Sequence, residues 1–230
     1  MSKKQNKTDK AFKAVLLDAD GTLYDSTMLH FEAYRKACFE LYTFDFTEEI
    51  YFTECVRKYK KPPQILQEQG IEYNAEEFYL KKREYYFEIA KKKLRPMYGL
   101  KIFLRNLQKS HIPCAVVSGA SLNSLIDSIN LLGLDGFFHF IISHEDIGAK
   151  QKPDPYPFLI ASKKLGIFHR HCLAFEDTES GIRSAKGAGM YCIAIRNSTN
   201  SRDELGEADL VVEDYSKLKY RILDNQIVLL

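Results

Sequence analysis

The sequence predicts a doubly wound parallel α/β sheet with an inserted all-helical cap. From residue 100 onward, short apolar runs alternate with amphipathic stretches of helical period, as expected for a parallel sheet covered by helices on both faces. Between residues 27 and 94 the pattern is helical only. Four polar clusters, Asp18/Asp20, Ser118-Gly119-Ala120-Ser121, Lys152 and Glu176-Asp177, each follow an apolar, strand-like run. In a parallel sheet such ends meet at one edge, where open α/β sheets place their sites.

The elements follow in order. Ala14–Leu17 is a buried strand running into Asp18-Ala19-Asp20-Gly21-Thr22-Leu23. The strand alternation makes Asp18 and Asp20 lean the same way. Gly21 permits a tight exit, and Thr22 is expected to orient a carboxylate. Asp25-Ser26 predicts a helix cap. Helical segments are expected at 27–42, 47–60, 63–69 and 75–94, broken by Pro62-Pro63 and Gly70 and ended by Pro96 and Gly99. Leu100, Phe103, Leu104 and Leu107 form an amphipathic stripe, followed by a strand over Ile112–Val117. Leu122, Leu125, Ile126, Ile129 and Leu132 mark the next helix, and Phe137–Ser143 reads as a strand. A helix over Pro155–Leu165 is capped by Asp154. Cys172–Phe175 is a strand, Ser180–Gly189 a helix, Tyr191–Ile195 a strand and Leu210–Val212 a last short strand. The domain division is a flexible tail at 1–10, a core at 11–25 and 96–230, and a helical cap at 26–95.

Among the 230 residues, 33 Lys and Arg stand against 31 Asp and Glu, a net charge of +2 that gives no push toward nucleic acid or a membrane surface. No apolar stretch approaches a membrane span or follows the lysine-rich start as a signal peptide would, so a cytoplasmic protein, monomer or weak dimer, is expected. The five cysteines, Cys38, Cys55, Cys114, Cys172 and Cys192, have no CxxC spacing and read as small buried hydrophobes.

The polar clusters point to phosphoryl chemistry. Two carboxylates side by side require a nearby positive charge. An aspartate can attack phosphorus, and a second can protonate the leaving oxygen and then activate water. Asp18 and Asp177 supply hard oxygen donors suited to Mg²⁺. Ser118 with the amides of Gly119 and Ala120 forms an anion cradle, and Lys152 balances the carboxylates and the transferring group.

The ordered set Asp18-Ala-Asp-Gly-Thr-Leu23, Val117-Ser118, Lys152-Pro153-Asp154-Pro155 and Phe175-Glu-Asp-Thr-Glu-Ser-Gly181, continuing to Ala188-Gly189-Met190, resembles the haloacid dehalogenase-like hydrolase superfamily. The resemblance is to the helical-cap branch of phosphoglycolate phosphatases and β-phosphoglucomutases. It implies a Rossmann-like core, with Asp18 as nucleophile and Asp20 as general acid/base. Mg²⁺ would be held by Asp18, the Asp20 carbonyl and Asp177, with Glu176 beside it, and the phosphoryl group by Ser118 and Lys152. It also makes His30, on the first cap helix, a candidate substrate contact. Asp20, which the family's dehalogenases lack, favours phosphoryl transfer. Ala19 replaces a residue that is often aromatic, and Gln151 stands where glycine is common.

The expected function is therefore a Mg²⁺-dependent phosphatase of a small phosphorylated metabolite. A β-phosphoglucomutase-like mutase is the alternative, although Tyr59-Lys-Lys-Pro-Pro63 occupies the region where a glycine- and arginine-containing substrate loop is expected. A catalytically degenerate regulatory member is a further alternative.

Overall fold

Ala11–Phe12 (β1) and the wholly buried Ala14–Leu17 (β2) open the structure, a computed structural model that describes residues 10–58, 60–197 and 199–230. The expected tail lies, apart from Lys10, outside the described residues, as does Tyr59 of the cap loop. The chain divides into two units, one running to Asp25 and resuming at Arg95–Leu230, the other Ser26–Leu94.

The second unit is helical. It comprises Thr27–Tyr42 (α1), Glu48–Ile50 (α2), a π-helical stretch Tyr51–Arg57, Pro62–Glu68 (α3) and Ala75–Lys93 (α4). The continuous α-helix expected over 47–60 is thus one short turn passing into wider π turns. Tyr51, at that junction, is buried in the unit's core with its ring 5.7 Å from Phe31 and 6.4 Å from Phe46. Tyr34 stacks on the fully buried Phe78 at 6.1 Å, joining α1 to α4. Asn74 caps α4 by accepting from the Glu76 and Glu77 amides.

The first unit carries the sheet. Leu100–Lys109 (α5), Cys114–Val117 (β3), Leu122–Leu131 (α6), Ile141–Ile142 (β4), His144–Ile147 (α7) and Tyr156–Leu165 (α8) lead to Cys172–Glu176 (β5). Glu179–Gly187 (α9), Tyr191–Ile195 (β6), Leu210–Val212 (β7), Tyr220–Leu223 (β8) and Gln226–Leu229 (β9) complete it. Six strands form a parallel sheet in the order β4-β3-β2-β5-β6-β7. The central strands are uniformly apolar because both faces are covered. Leu16, Ala115, Ala174 and Phe158 belong to one buried layer. Phe103, Phe175 and Tyr215 pack ring against ring at 5.3 Å within the same unit.

Two expectations are corrected. The strand expected over Phe137–Ser143 is regular over Ile141 and Ile142 alone, which pair with Val116 and Val117, although the His139 amide and the Phe140 carbonyl already hydrogen-bond to Cys114 and Val116. It enters the sheet at its edge and late, after Gly136 turns the chain at φ +80°. Leu210–Val212 is not the last strand: β8 and β9 form an antiparallel hairpin, and β9 also pairs with β1 in a separate three-stranded sheet. Its turn is Asp224-Asn225, both at positive φ (49° and 56°), which are the residue types that tolerate that conformation.

Candidate active site

The register brings the sequence clusters together. Leu17 lies opposite Phe175 and Val116, so the residues that follow these strands adjoin at the carboxyl edge. The Asp18 amide donates to the Phe175 carbonyl at 3.0 Å and the Ser118 amide to Ile142 at 2.9 Å, carrying the pairing one step past the strands. Asp18, Ser118, Glu176 and Asp177 are all buried, Glu176 most deeply.

Lys152 is the hub. Its Nζ lies 2.5 Å from Asp18 Oδ1 and 2.5 Å from Glu176 Oε1, and donates to the Val117 carbonyl at 2.9 Å. One carboxylate oxygen from each of Asp18, Glu176 and Asp177 lies within 4.8 Å of the other two. Three buried carboxyls thus share one ammonium. Burial pushes the Asp18 carboxyl up to about 8 against the lowering pull of Lys152, with the charges of Glu176 and Asp20 adding to the rise. Asp177 is raised well above its ordinary value, by burial first and then by Asp18 and Glu176. Burial alone would lower Lys152, but Asp18 and Glu176 outweigh it and hold the ammonium charged.

The fit to a divalent cation rests on two features. The cluster is short of positive charge, and Asp177 Oδ1 is buried with no hydrogen-bond partner among the described residues. Hard carboxylate oxygens lacking partners suit Mg²⁺.

Glycines make room for the carboxylates. Gly21 sits at φ +82°, and a Cβ there would fall on Asp177 Oδ2. At Gly181, in the first turn of α9, a Cβ would fall on the Glu176 carboxylate. Thr178 caps this helix, accepting from the Gly181 amide at 3.1 Å while its hydroxyl donates to Glu176 Oε2 at 3.4 Å. The Asp177 amide donates to the same oxygen at 3.3 Å.

The remaining expected residues fall as follows. Ser118 Oγ accepts from the Ala120 amide at 3.1 Å, so that member of the anion cradle already has a partner, and Gly119 lies between them. The helix cap is Ser121, which accepts from Ser124. Asp20 is half-buried at the start of the turn closed by Gly21 N donating to Tyr24 O at 2.7 Å. The expectation that Thr22 orients a carboxylate is corrected: its Oγ1 is buried without a partner among the described residues, and its carbonyl instead accepts from the buried Tyr215 hydroxyl at 3.2 Å. His30 lies in the helical unit, where its Nδ1 is 2.8 Å from Lys82 Nζ and its ring stacks on Tyr86 at 4.5 Å. Asn197 and Asn200, after β6, hold Asp177 and were not singled out from the sequence; the signal was a run of turn residues following one more strand of the same sheet.

Comparison with known proteins agrees with this geometry. A family model described as haloacid dehalogenase-like hydrolase matches residues 15–195. The chain is 30% identical over 226 residues to the β-phosphoglucomutase of Bacillus subtilis, covering 93% of this chain and 95% of that protein. It is 26% identical over 201 residues to a phosphorylated carbohydrates phosphatase of Thermotoga maritima, covering 86% and 92%. A crystal structure of a family IA, variant 3 hydrolase from Entamoeba histolytica superposes with a TM-score of 0.76 at 26% identity, covering 93% of this chain and 97% of that one.

Proposed function

The chain belongs to the haloacid dehalogenase-like hydrolase family, and from that premise we propose that it is a Mg²⁺-dependent phosphatase of a small phosphorylated metabolite, working through an aspartyl-phosphate on Asp18. The observation that carries this reading is the Lys152 ammonium lying 2.5 Å from both Asp18 and Glu176 beside the partnerless Asp177 oxygen.

Asp18 and Asp177, with the Asp20 carbonyl and Glu176 beside them, are the groups that would hold Mg²⁺, whose contribution when bound is to offset the charge of the phosphoryl oxygens and of the carboxylates. A carboxylate oxygen of Asp18 attacks phosphorus. The new O–P bond forms as the bond to the leaving alkoxide breaks, and Asp20 gives that oxygen its proton. Asp20, now ionised, takes a proton from water, whose oxygen attacks phosphorus and releases inorganic phosphate and free Asp18. Lys152, Ser118 and the amides of Gly119 and Ala120 bind the transferring group, with Lys152 also holding Asp18 in line.

A second reading, a β-phosphoglucomutase-like transfer, is favoured by the 30% identity to the Bacillus subtilis mutase. It differs only in the acceptor, a sugar hydroxyl instead of water.

The test is phosphate release from p-nitrophenyl phosphate, phosphoglycolate and β-glucose 1-phosphate, with and without Mg²⁺, for wild type and Asp18→Asn. Mg²⁺-dependent release that falls by about 10³-fold or more in the variant supports the phosphatase. Conversion of glucose 1-phosphate to glucose 6-phosphate without release moves the assignment to the mutase. Release that survives Asp18→Asn overturns the mechanism.

A further inference from the structure

Asp177 has two carboxylate oxygens in different circumstances. Oδ2 faces Gly21, where a side chain would collide with it, and accepts a hydrogen bond from Asn197 Nδ2 at 2.8 Å. Oδ1 is buried and has no partner among the described residues. What decides this division is the orientation of the Asn197 amide, and the loop after β6 fixes that orientation. Asn197 Oδ1 accepts from the Thr199 amide at 3.0 Å, the Thr199 hydroxyl at 2.9 Å and the Asn200 amide at 3.1 Å. A flipped amide would set its NH₂ against two amide donors and its oxygen against a carboxylate, so a single orientation is allowed.

Asn200 locks the arrangement from the other side. Its Oδ1 accepts from the Asn197 backbone N–H at 3.2 Å, while its Nδ2 donates to the Asp177 carbonyl and the Ile195 carbonyl, both at 3.0 Å. The two asparagines therefore hold the side chain and the backbone of Asp177 at once and tie both to the end of the neighbouring strand. Such a clamp limits a carboxylate to offering one oxygen, and it favours the ionised form of Asp177 without bringing a competing positive charge.

We propose that Asn197, locked by Asn200, is a positioning residue that occupies Oδ2 of Asp177 and so presents Oδ1 alone to the divalent cation. The inference rests on the cation-binding reading of this site. Outer partners of metal ligands of this kind change metal affinity by about 10–100-fold when removed. Asn197 bonds to Asp177 and to its own loop, so its removal acts on the occupancy of the site and not on the chemical step.

The experiment is Mg²⁺ titration of the full chain by calorimetry, without substrate, for wild type, Asn197→Ala and Asn197→Ser. Serine at this position keeps the turn, because its hydroxyl can accept from the Thr199 amide, but it is too short to reach Asp177. Both variants are expected to bind Mg²⁺ about tenfold or more weakly than wild type. The Mg²⁺ concentration for half-maximal activation should move with the dissociation constant, while kcat at saturating Mg²⁺ stays within about threefold of wild type. Wild-type affinity in Asn197→Ser overturns the inference and leaves the cation reading standing. A loss of kcat that saturating Mg²⁺ does not restore also overturns it, since that marks a role in the chemistry or the fold. Absence of Mg²⁺ binding by wild type overturns both readings.

Discussion

Replacing Lys152 by methionine removes the one ammonium that contacts both Asp18 and Glu176 among the described residues, while keeping most of the stem volume. The Lys152 side chain is 11% exposed and the Glu176 side chain 1% exposed, so water cannot take over its role. Breaking a buried ion pair from one side costs about 3–5 kcal/mol. An independent bound gives the same scale: holding a carboxyl protonated at pH 7, about 3 pH units above its ordinary value, costs about 4 kcal/mol. For a chain of this size that corresponds to a fall in Tm of roughly 8–16 °C. The pH dependence has a definite sign. A carboxyl forced to keep its proton has a folded pKa above its unfolded one, so the deficit is small below about pH 4 and grows as pH rises from there toward neutrality. At pH 5 it should shrink to about 1.4 kcal/mol. Wild type carries part of the same slope, because Asp18 is raised to about 8, so variant and wild type are compared at each pH. The assay is thermal unfolding in EDTA at pH 5 and 7.5, repeated with Mg²⁺, which should recover part of the loss. A deficit below about 1 kcal/mol at pH 7.5, or one equal at both pH values, refutes the claim that Lys152 holds these carboxylates together by charge.

Mg²⁺ binding should release protons and strengthen between about pH 6 and 8, because Asp18, raised to about 8, and Asp177, raised well above its ordinary value, must both ionise to hold the cation. Titration calorimetry in two buffers of different ionisation heat checks this, and a pH-independent affinity without proton exchange counts against it. Gly181→Ala should cost about 1–3 kcal/mol and most of the activity, because the new methyl meets a Glu176 carboxylate already pinned by Lys152. Gly187→Ala in the same helix, whose added Cβ has its nearest neighbour at 3.5 Å, should lie within about 1 kcal/mol of wild type on the stabilising side. Urea unfolding of the two variants distinguishes a specific clash from a general intolerance of the helix.

The parts of the site that could be read from the sequence follow from one geometric rule. Asp18, Ser118 and Glu176-Asp177 stand out because each follows an apolar run, and a parallel sheet gathers such ends at one edge. Lys152 is expected with them after the strand-like run Phe137–Ser143, but it stands on a loop beyond α7 instead of at a strand end, and its identity against Lys150 rests on the Lys-Pro pair. Where periodicity alone was used, it overreached. Phe137, Phe138 and Phe140 look like strand residues, yet the regular ladder with β3 is confined to Ile141 and Ile142, preceded by hydrogen bonds from the His139 amide to Cys114 and from the Val116 amide to Phe140. The β8–β9 hairpin was hidden for the opposite reason: its turn is Asp-Asn, without the glycine that usually announces a tight hairpin, although both residues adopt the required positive φ.

Asn197 shows most clearly what the rule could still have yielded. Asparagine, serine and threonine after a strand read as turn formers, and Asn197 is one: its Oδ1 closes the turn through Thr199 and Asn200. The same side chain has a second end. Glu176 lies opposite Ala194 in the β5–β6 register, so a residue three beyond Ala194 falls beside Asp177. Tyr191–Ile195 was recognisable as a strand of this sheet, and its polar exit belongs to the same edge as the other four clusters. A turn residue at the carboxyl end of a strand flanking the acidic pair can thus be structural through its acceptor and functional through its donor. The primary sequence displays the first role through residue type, whereas the second becomes visible only when the neighbouring strand's register is known.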